Sequence, residues 1–219
     1  MDLFEKSISD FEKIEKRGSF YDMALNLMSK GFEIEAYILI LATWNSANFR
    51  YAVNNFDVLG FKDTIEKLNP IFSILKDEKF QTIDFNKYKK EISIIFVTLS
   101  SIDGIKYTGA SKIMHLKNRD VFVMWDGYIN GNKATKHHEK LEIIKKGIMT
   151  IKNYPLSPEG YIEFLIDKKN LYKNKKLHNY KYTLTKAIDE FNYMNITIPL
   201  LKIVKEEEKK KNEMKRDKK

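Results

Sequence analysis

The stretch from Leu99 to Ile113 holds the residue types and spacing best suited to chemistry on a phosphate. Apolar helical patterns precede and follow it. Gly104 can take the positive φ of a tight turn, and Ile102 and Ile105 can anchor that turn to a core. Ala110 is small enough to let two helices approach closely. A helix starting near Thr108 presents free backbone N–H groups and the positive end of its dipole. That arrangement holds a phosphate without reading any base. Lys106 and Lys112 add charge beside it. The candidate phosphate-contacting residues are Gly104, Lys106, Thr108, Gly109 and Ser111. A helix–turn–helix corner with no ligand fits the same segment.

Other chemistries find less material. The chain has no Cys, which excludes disulfides, Cys-ligated zinc and iron–sulfur clusters. Its four histidines are His115, His137, His138 and His178. No His-Glu-x-x-His spacing occurs, and adjacent His137 and His138 diverge on a helix. No metal site and no cofactor are expected.

Ile102-Asp103-Gly104-Ile105 followed by Ala110 resembles the helix-hairpin-helix of DNA glycosylases related to endonuclease III, 8-oxoguanine glycosylase and the alkyladenine enzymes. Lys106 stands where those enzymes carry a second glycine. The resemblance extends to Asp120-Val121-Phe122-Val123-Met124-Trp125-Asp126-Gly127-Tyr128-Ile129, an apolar run ending in an acid at the head of the next helix. Asp126 lies 16 residues past Ala110, the family's separation. The likeness covers about residues 91–130.

The resemblance implies base excision. Breaking an N-glycosidic bond builds positive charge on the sugar, and a carboxylate beneath that carbon stabilises it. Asp126 is the catalytic candidate; an ordinary helix N-cap is its plainer role. A glycosylase that also cuts the strand needs an amine nucleophile, which the resemblance places two residues before the hairpin Ala. Thr108 stands there, and Lys106 and Lys112 are the remaining candidates, which favours a monofunctional enzyme. A flipped base needs a pocket with aromatic walls. Trp44, Asn45 and Trp125 are the candidate lining, with core packing the alternative for the tryptophans.

The elements that must position these groups read as mostly α. Helical spacing covers Phe4–Ile14, ended by Gly18, and Tyr21–Met28, closed by Gly31. Ile34–Tyr51 is apolar almost all round, as central helices are. Asn69-Pro70 separates a pair of short helices, Phe61–Leu68 and Ile71–Leu75. Asp84 caps Phe85–Leu99. Asn118-Arg119-Asp120 breaks the hairpin's second helix, and Val121–Trp125 is extended. Thr135–Lys152 reads as helical and basic. Ser157 caps a helix opened by Pro158, with Ile162, Phe164 and Leu165 inward. Tyr182–Asn192 is a further helix, and Pro199 opens a last one that frays. The expectation is about ten helices: a multi-helix domain over residues 1–200, as one body or two lobes around a cleft. The hairpin occupies about 91–117 and the aspartate loop 118–130, with a basic tail over 201–219.

With 219 residues, 43% of them hydrophobic, a core is available. The net charge is +9, of which +4 falls in residues 202–219, so the body is basic without its tail. An anionic partner follows, nucleic acid before a membrane surface; a Lys-rich surface alone is the plain alternative. The Lys136–Lys146 and Lys168–Lys176 clusters suit a phosphate-tracking rim. The charged N-terminus lacks a signal peptide's apolar run, and Ala36–Thr43 is too short to span a bilayer. The expected location is intracellular, nucleoid-associated cytoplasm. The functional expectation is a glycosylase acting on damaged duplex DNA, with an oxidised purine such as 8-oxoguanine first and an alkylated purine second. The alternatives are a hairpin DNA-binding protein without chemistry, and a helical interaction protein whose basic tail binds RNA or an acidic partner.

Overall fold

A computed structural model describes residues 2–16, 18–178 and 180–216, with side chains to residue 214. Among them are eleven α-helices and no strand: α1 (Leu3–Ile14), α2 (Gly18–Ser29), α3 (Glu33–Trp44), α4 (Ser46–Ala52), α5 (Val58–Ile74), α6 (Lys89–Ser100), α7 (Lys106–Lys117), α8 (Glu142–Lys145), α9 (Pro158–Tyr172), α10 (Leu184–Asn192) and α11 (Ile198–Arg216). None of them is long and apolar enough to cross a membrane.

Caps and stops explain most boundaries. Asp2 accepts the Glu5 N–H at 2.9 Å and starts α1, whose stripe of Phe4, Ile8 and Phe11 is buried. Gly31, at φ 84°, turns the chain between α2 and α3. Ser157 accepts the Gly160 N–H at 3.2 Å and starts α9 with Pro158 in its first turn. Ile162, Phe164 and Leu165 are buried as expected, with Tyr161 beside them.

Four expectations are corrected. Pro70 does not separate a pair of helices but sits inside α5. Phe61, Ile65, Leu68 and Phe72 form one continuous buried stripe across it, and burying those side chains outweighs the roughly 3 kcal/mol a helical proline costs. Ile34–Tyr51 is two helices, because the Asn45 backbone leaves helical geometry as its side chain turns to the hairpin. Asp84 accepts the Asn86 N–H at 2.9 Å and caps a turn instead of α6, which starts five residues later at Lys89. Residues 135–152 are not one helix: a 3₁₀ turn at Thr135–Lys140 and short α8 give way at Gly147, at φ 63°.

The helix after the Gly104 turn, α7, is buried at every position from Gly109 to Leu116. Residues 201–216 continue α11, and residues 217–219 lie outside the described chain. A π-helical stretch at Tyr193–Thr197 joins α10 to α11, so helical structure is unbroken from Leu184 to Arg216. Glu207 fastens α11 to the 3₁₀ turn, 3.0 Å from Lys136 Nζ and 3.2 Å from His137 Nε2.

Candidate functional site

The turn between α6 and α7 is held from behind. Gly104 takes φ 79°, and a Cβ there would lie 2.5 Å from Ala52 Cβ on α4. Asn45 Nδ2 donates to the carbonyls of Gly104 and Ile105, both at 3.0 Å. Lys106, at φ 53°, takes the left-handed conformation that a glycine would adopt without strain. Its exposed side chain lies 3.3 Å from Asp103 Oδ1. Gly109 donates to Ile105 O at 3.0 Å, so the N–H groups of Lys106, Tyr107 and Thr108 precede the helical ladder. Gly109 is required by packing, since a Cβ would lie 2.8 Å from Asn45 Nδ2 and 2.9 Å from Leu41.

Of the five residues expected to meet phosphate, Lys106 is exposed and Thr108 half-buried, whereas Gly104 and Gly109 are buried. Ser111 is corrected. It is wholly buried, and its hydroxyl donates to Thr108 O at 2.9 Å and accepts the Trp125 N–H at 3.2 Å. It ties α7 to the aspartate loop and has no surface to offer a ligand.

That loop delivers Asp126 to a cavity of about 260 Å³ beside the start of α7. Asp126 Oδ1 accepts the N–H groups of Tyr128 and Ile129 at 2.7 and 2.9 Å, but it caps a turn over residues 127–130 and not the helix expected there, because after α7 no helix begins before residue 135. Oδ2 accepts the Thr197 hydroxyl at 3.0 Å. The carboxylate is therefore both a cap and a piece of a concave wall.

The cavity also gathers Trp44, Asn45, Thr108, Lys112 and Trp125. Their side chains do different work. Lys112 is buried and donates to Trp44 O at 2.6 Å, so its ammonium caps the carbonyl end of α3. Asn45 spends its NH₂ on the hairpin carbonyls and accepts from Asn48 Nδ2 at 3.1 Å, which corrects its role as a base reader. Trp125 is 1% exposed, packs against Phe96, Tyr161 and Phe164, and donates to Tyr107 O; it is a core residue at the cavity's edge. Trp44 is half-buried and forms a wall.

Behind Trp44 lies an ion-pair cage. Lys186 on α10 is 1% exposed, with Nζ 3.0 Å from Asp189 and 3.1 Å from Glu190. The same ammonium faces the rings of Trp44, Phe11 and Tyr21 at 4.6, 4.7 and 5.1 Å. Trp44 stacks on Tyr21 at 5.6 Å. Burial holds His115 far below the usual imidazole range, at about 3, so its ring is neutral. Its Nδ1–H donates to Phe122 O and its Nε2 accepts from Tyr21 OH, each at 2.7 Å. His115 thereby links the extended run before Asp126 to the cage behind Trp44. His137 is buried against Glu207, and His138 Nε2 lies 3.1 Å from Lys133 O. Among the described residues, no cluster of three His, Asp or Glu side chains is placed to hold a metal ion.

Sequence reasoning missed Phe11, Glu15, Asp189, Tyr193 and Thr197, which complete the cavity from α1 and the C-terminal helix. No local signal marks them. Burial, then the charge of Asp126, raise the Tyr128 phenol above its ordinary range, so it presents a hydroxyl. The finished cavity sets carboxylates of Glu15, Asp126 and Asp189 and aromatic side chains of Phe11, Trp44, Tyr128 and Tyr193 against ammoniums of Lys112 and Lys133. Such a lining can stabilise positive charge and stack against a planar ring. No protein-family model, curated protein or solved structure matches this chain.

Proposed function

We propose that this protein binds duplex DNA through the turn between α6 and α7 and excises a damaged base as a monofunctional N-glycosylase. The observation that carries this reading is that Asp126 lines a cavity directly beside the N-terminus of α7. A phosphate held at Lys106–Thr108 brings a flipped nucleotide to that cavity. Asp126 then stabilises the oxocarbenium-like sugar as the base departs and water attacks. Two residues support the monofunctional reading. Thr108 has no amine, and the Lys112 ammonium is engaged with Trp44 O at 2.6 Å.

The three carboxylates are offset by the ammoniums of Lys112, Lys133 and Lys186, so the charge of the lining does not reorder the substrates, and an oxidised purine stays ahead of an N-alkylated one.

A panel of duplexes, each with one lesion, followed by alkaline cleavage, tests the reading. Wild-type protein releases a modified purine, and Asp126→Asn releases it at least about 100-fold more slowly while binding DNA equally well. Full activity in a folded Asp126→Asn variant reduces Asp126 to a cap. The two hydrogen bonds that the Tyr128 and Ile129 N–H groups donate to Asp126 Oδ1 favour a second reading, a DNA-binding protein without chemistry. Tight duplex binding with no release from any lesion selects it.

A further inference from the structure

We infer that Thr197, in the π-helical stretch between α10 and α11, is the positioning residue that aims the Asp126 carboxylate into the cavity. This rests on reading Asp126 as the reacting carboxylate. A buried or half-buried threonine inside a helix ordinarily returns its hydroxyl to the carbonyl four residues back. This chain does so twice: Thr43 Oγ1 donates to Leu39 O at 2.7 Å, and Thr64 Oγ1 to Gly60 O at 2.8 Å. Thr197 departs from that habit. It is buried, and its hydroxyl donates instead to Asp126 Oδ2 at 3.0 Å, across 71 residues of sequence.

The backbone explains the departure. The Ile198 N–H reaches five residues back to Tyr193 O, the π pattern. Pro199 follows at the second position of α11. In continuous α-helix its ring would crowd the Asn195 carbonyl and it could offer that carbonyl no N–H. The wider turn relieves the crowding. Tyr193 and Thr197, four residues apart on one face, both line the cavity. Tyr193 OH donates to Glu15 Oε2 at 2.8 Å, as Thr197 does to Asp126. Two of the cavity's three carboxylates are thus held by hydroxyls of one five-residue segment.

The consequence for Asp126 is directional. Oδ1 is fixed by the two N–H groups of its own loop, which would suffice for a cap. A cap needs no partner on Oδ2. A carboxylate that must meet developing charge at one place does, because rotation about its terminal torsion is otherwise soft.

Thr197→Val removes the hydroxyl at nearly constant shape, and Thr197→Ser keeps it. On a duplex from which wild type releases a base, Thr197→Val lowers the single-turnover rate of that release by about 10- to 100-fold, the worth of one hydrogen bond to a charged group. DNA affinity stays unchanged, and Thr197→Ser restores the rate. A Thr197→Val variant that releases base at the wild-type rate overturns the inference. The contact has its own readout, the carboxyl-carbon resonance of Asp126 in ¹³C-aspartate-labelled protein, identified by its disappearance in Asp126→Asn. That resonance moves in Thr197→Val and holds in Thr197→Ser. An unmoved resonance in Thr197→Val also overturns the inference, whatever the activity. A moved resonance in a protein that cuts no lesion supports the positioning of Asp126 by Thr197 and removes the glycosylase reading alone.

Discussion

Asp126 is approached from two sides by regions built on different principles. On one side, residues 89–130 run as helix, turn, helix, extended run and acid, each change of direction marked by a local residue: Gly104 in the turn, Asn118 at the end of α7, Asp126 as a cap. On the other side, residues 184–216 form one unbroken helical rod whose only irregularity is five residues of π geometry. The first region can be read along the chain. The second gains its role only when folding sets Thr197 against Asp126. A cavity assembled this way has one wall dictated by turn chemistry and the other by tertiary packing. The two walls should respond differently to mutation.

The largest response is expected in the first region. Gly104 combines φ 79° with a Cβ position 2.5 Å from Ala52 Cβ. Gly104→Val therefore adds backbone strain to a clash, and should cost about 3 kcal/mol or more in urea unfolding. A loss under about 1 kcal/mol would mean that the turn is as adaptable as the rod.

Acid should reveal the next difference. His115, on α7, is held neutral at about 3 by burial, against an ordinary value of 6.5. Between those values the unfolded chain binds a proton that the folded chain refuses, so stability falls as pH drops through the window. The contribution is roughly 2 kcal/mol lost at pH 5 relative to neutral pH. His115→Gln should be less stable at pH 7 yet lose less on acidification, as measured by urea midpoints at pH 7 and 5. Equal losses in both proteins would move the acid-sensitive group away from the hairpin side.

The rod should answer in the opposite sense. Pro199→Ala restores a helical N–H and removes the crowding that sustains the π stretch. The expected result is a gain of about 1 kcal/mol, a few degrees in Tm for a chain of this size, together with slower base release as Thr197 turns from Asp126. A variant unchanged in both respects would show that the π geometry is set by packing around Tyr193 and Ile196 instead of by the proline.

The contrast also marks what the amino-acid sequence could disclose. The helix stops at Gly31 and Asn118, the Ser157–Pro158 start and the turn at Gly104 are local choices with few alternatives, and they stand where the residues imply. Pro70 misleads because a local cost of roughly 3 kcal/mol is overridden by a stripe of buried apolar side chains. Ser111 and Asn45 mislead differently. Their polar atoms look available for a ligand, but the fold uses them to bind its own loop and turn. Buried polar groups find partners inside the protein first. Trp44 and Asp126 do line one cavity, although nothing along the chain reveals that Phe11 and Tyr193 stand beside them.

The smallest effect concerns where the phosphate backbone rests. Lys106 is exposed at the start of α7, beside three N–H groups that precede the helical ladder. Lys209, Lys210 and Lys211 carry more charge in total, but they share the distal half of α11 with Glu206, Glu208 and Glu213, and Lys209 lies 3.9 Å from Glu213. Acids interleaved with those lysines offset their attraction for an anion; Lys106 is paired too, with exposed Asp103 at 3.3 Å, but it alone of the four stands beside N–H groups that precede a helical ladder. Each phosphate contact contributes about −0.9 to the slope of log affinity against log salt. Lys106→Gln should therefore flatten that slope by about 0.9 on undamaged duplex. Changing all three tail lysines to Gln should alter it by less than Lys106→Gln alone. If the tail variant flattens the slope by about 2 or more while Lys106→Gln leaves it unchanged, the DNA rests on the rod and the hairpin is only a corner of the fold. The cavity beside it would then have to receive its base from the α11 side.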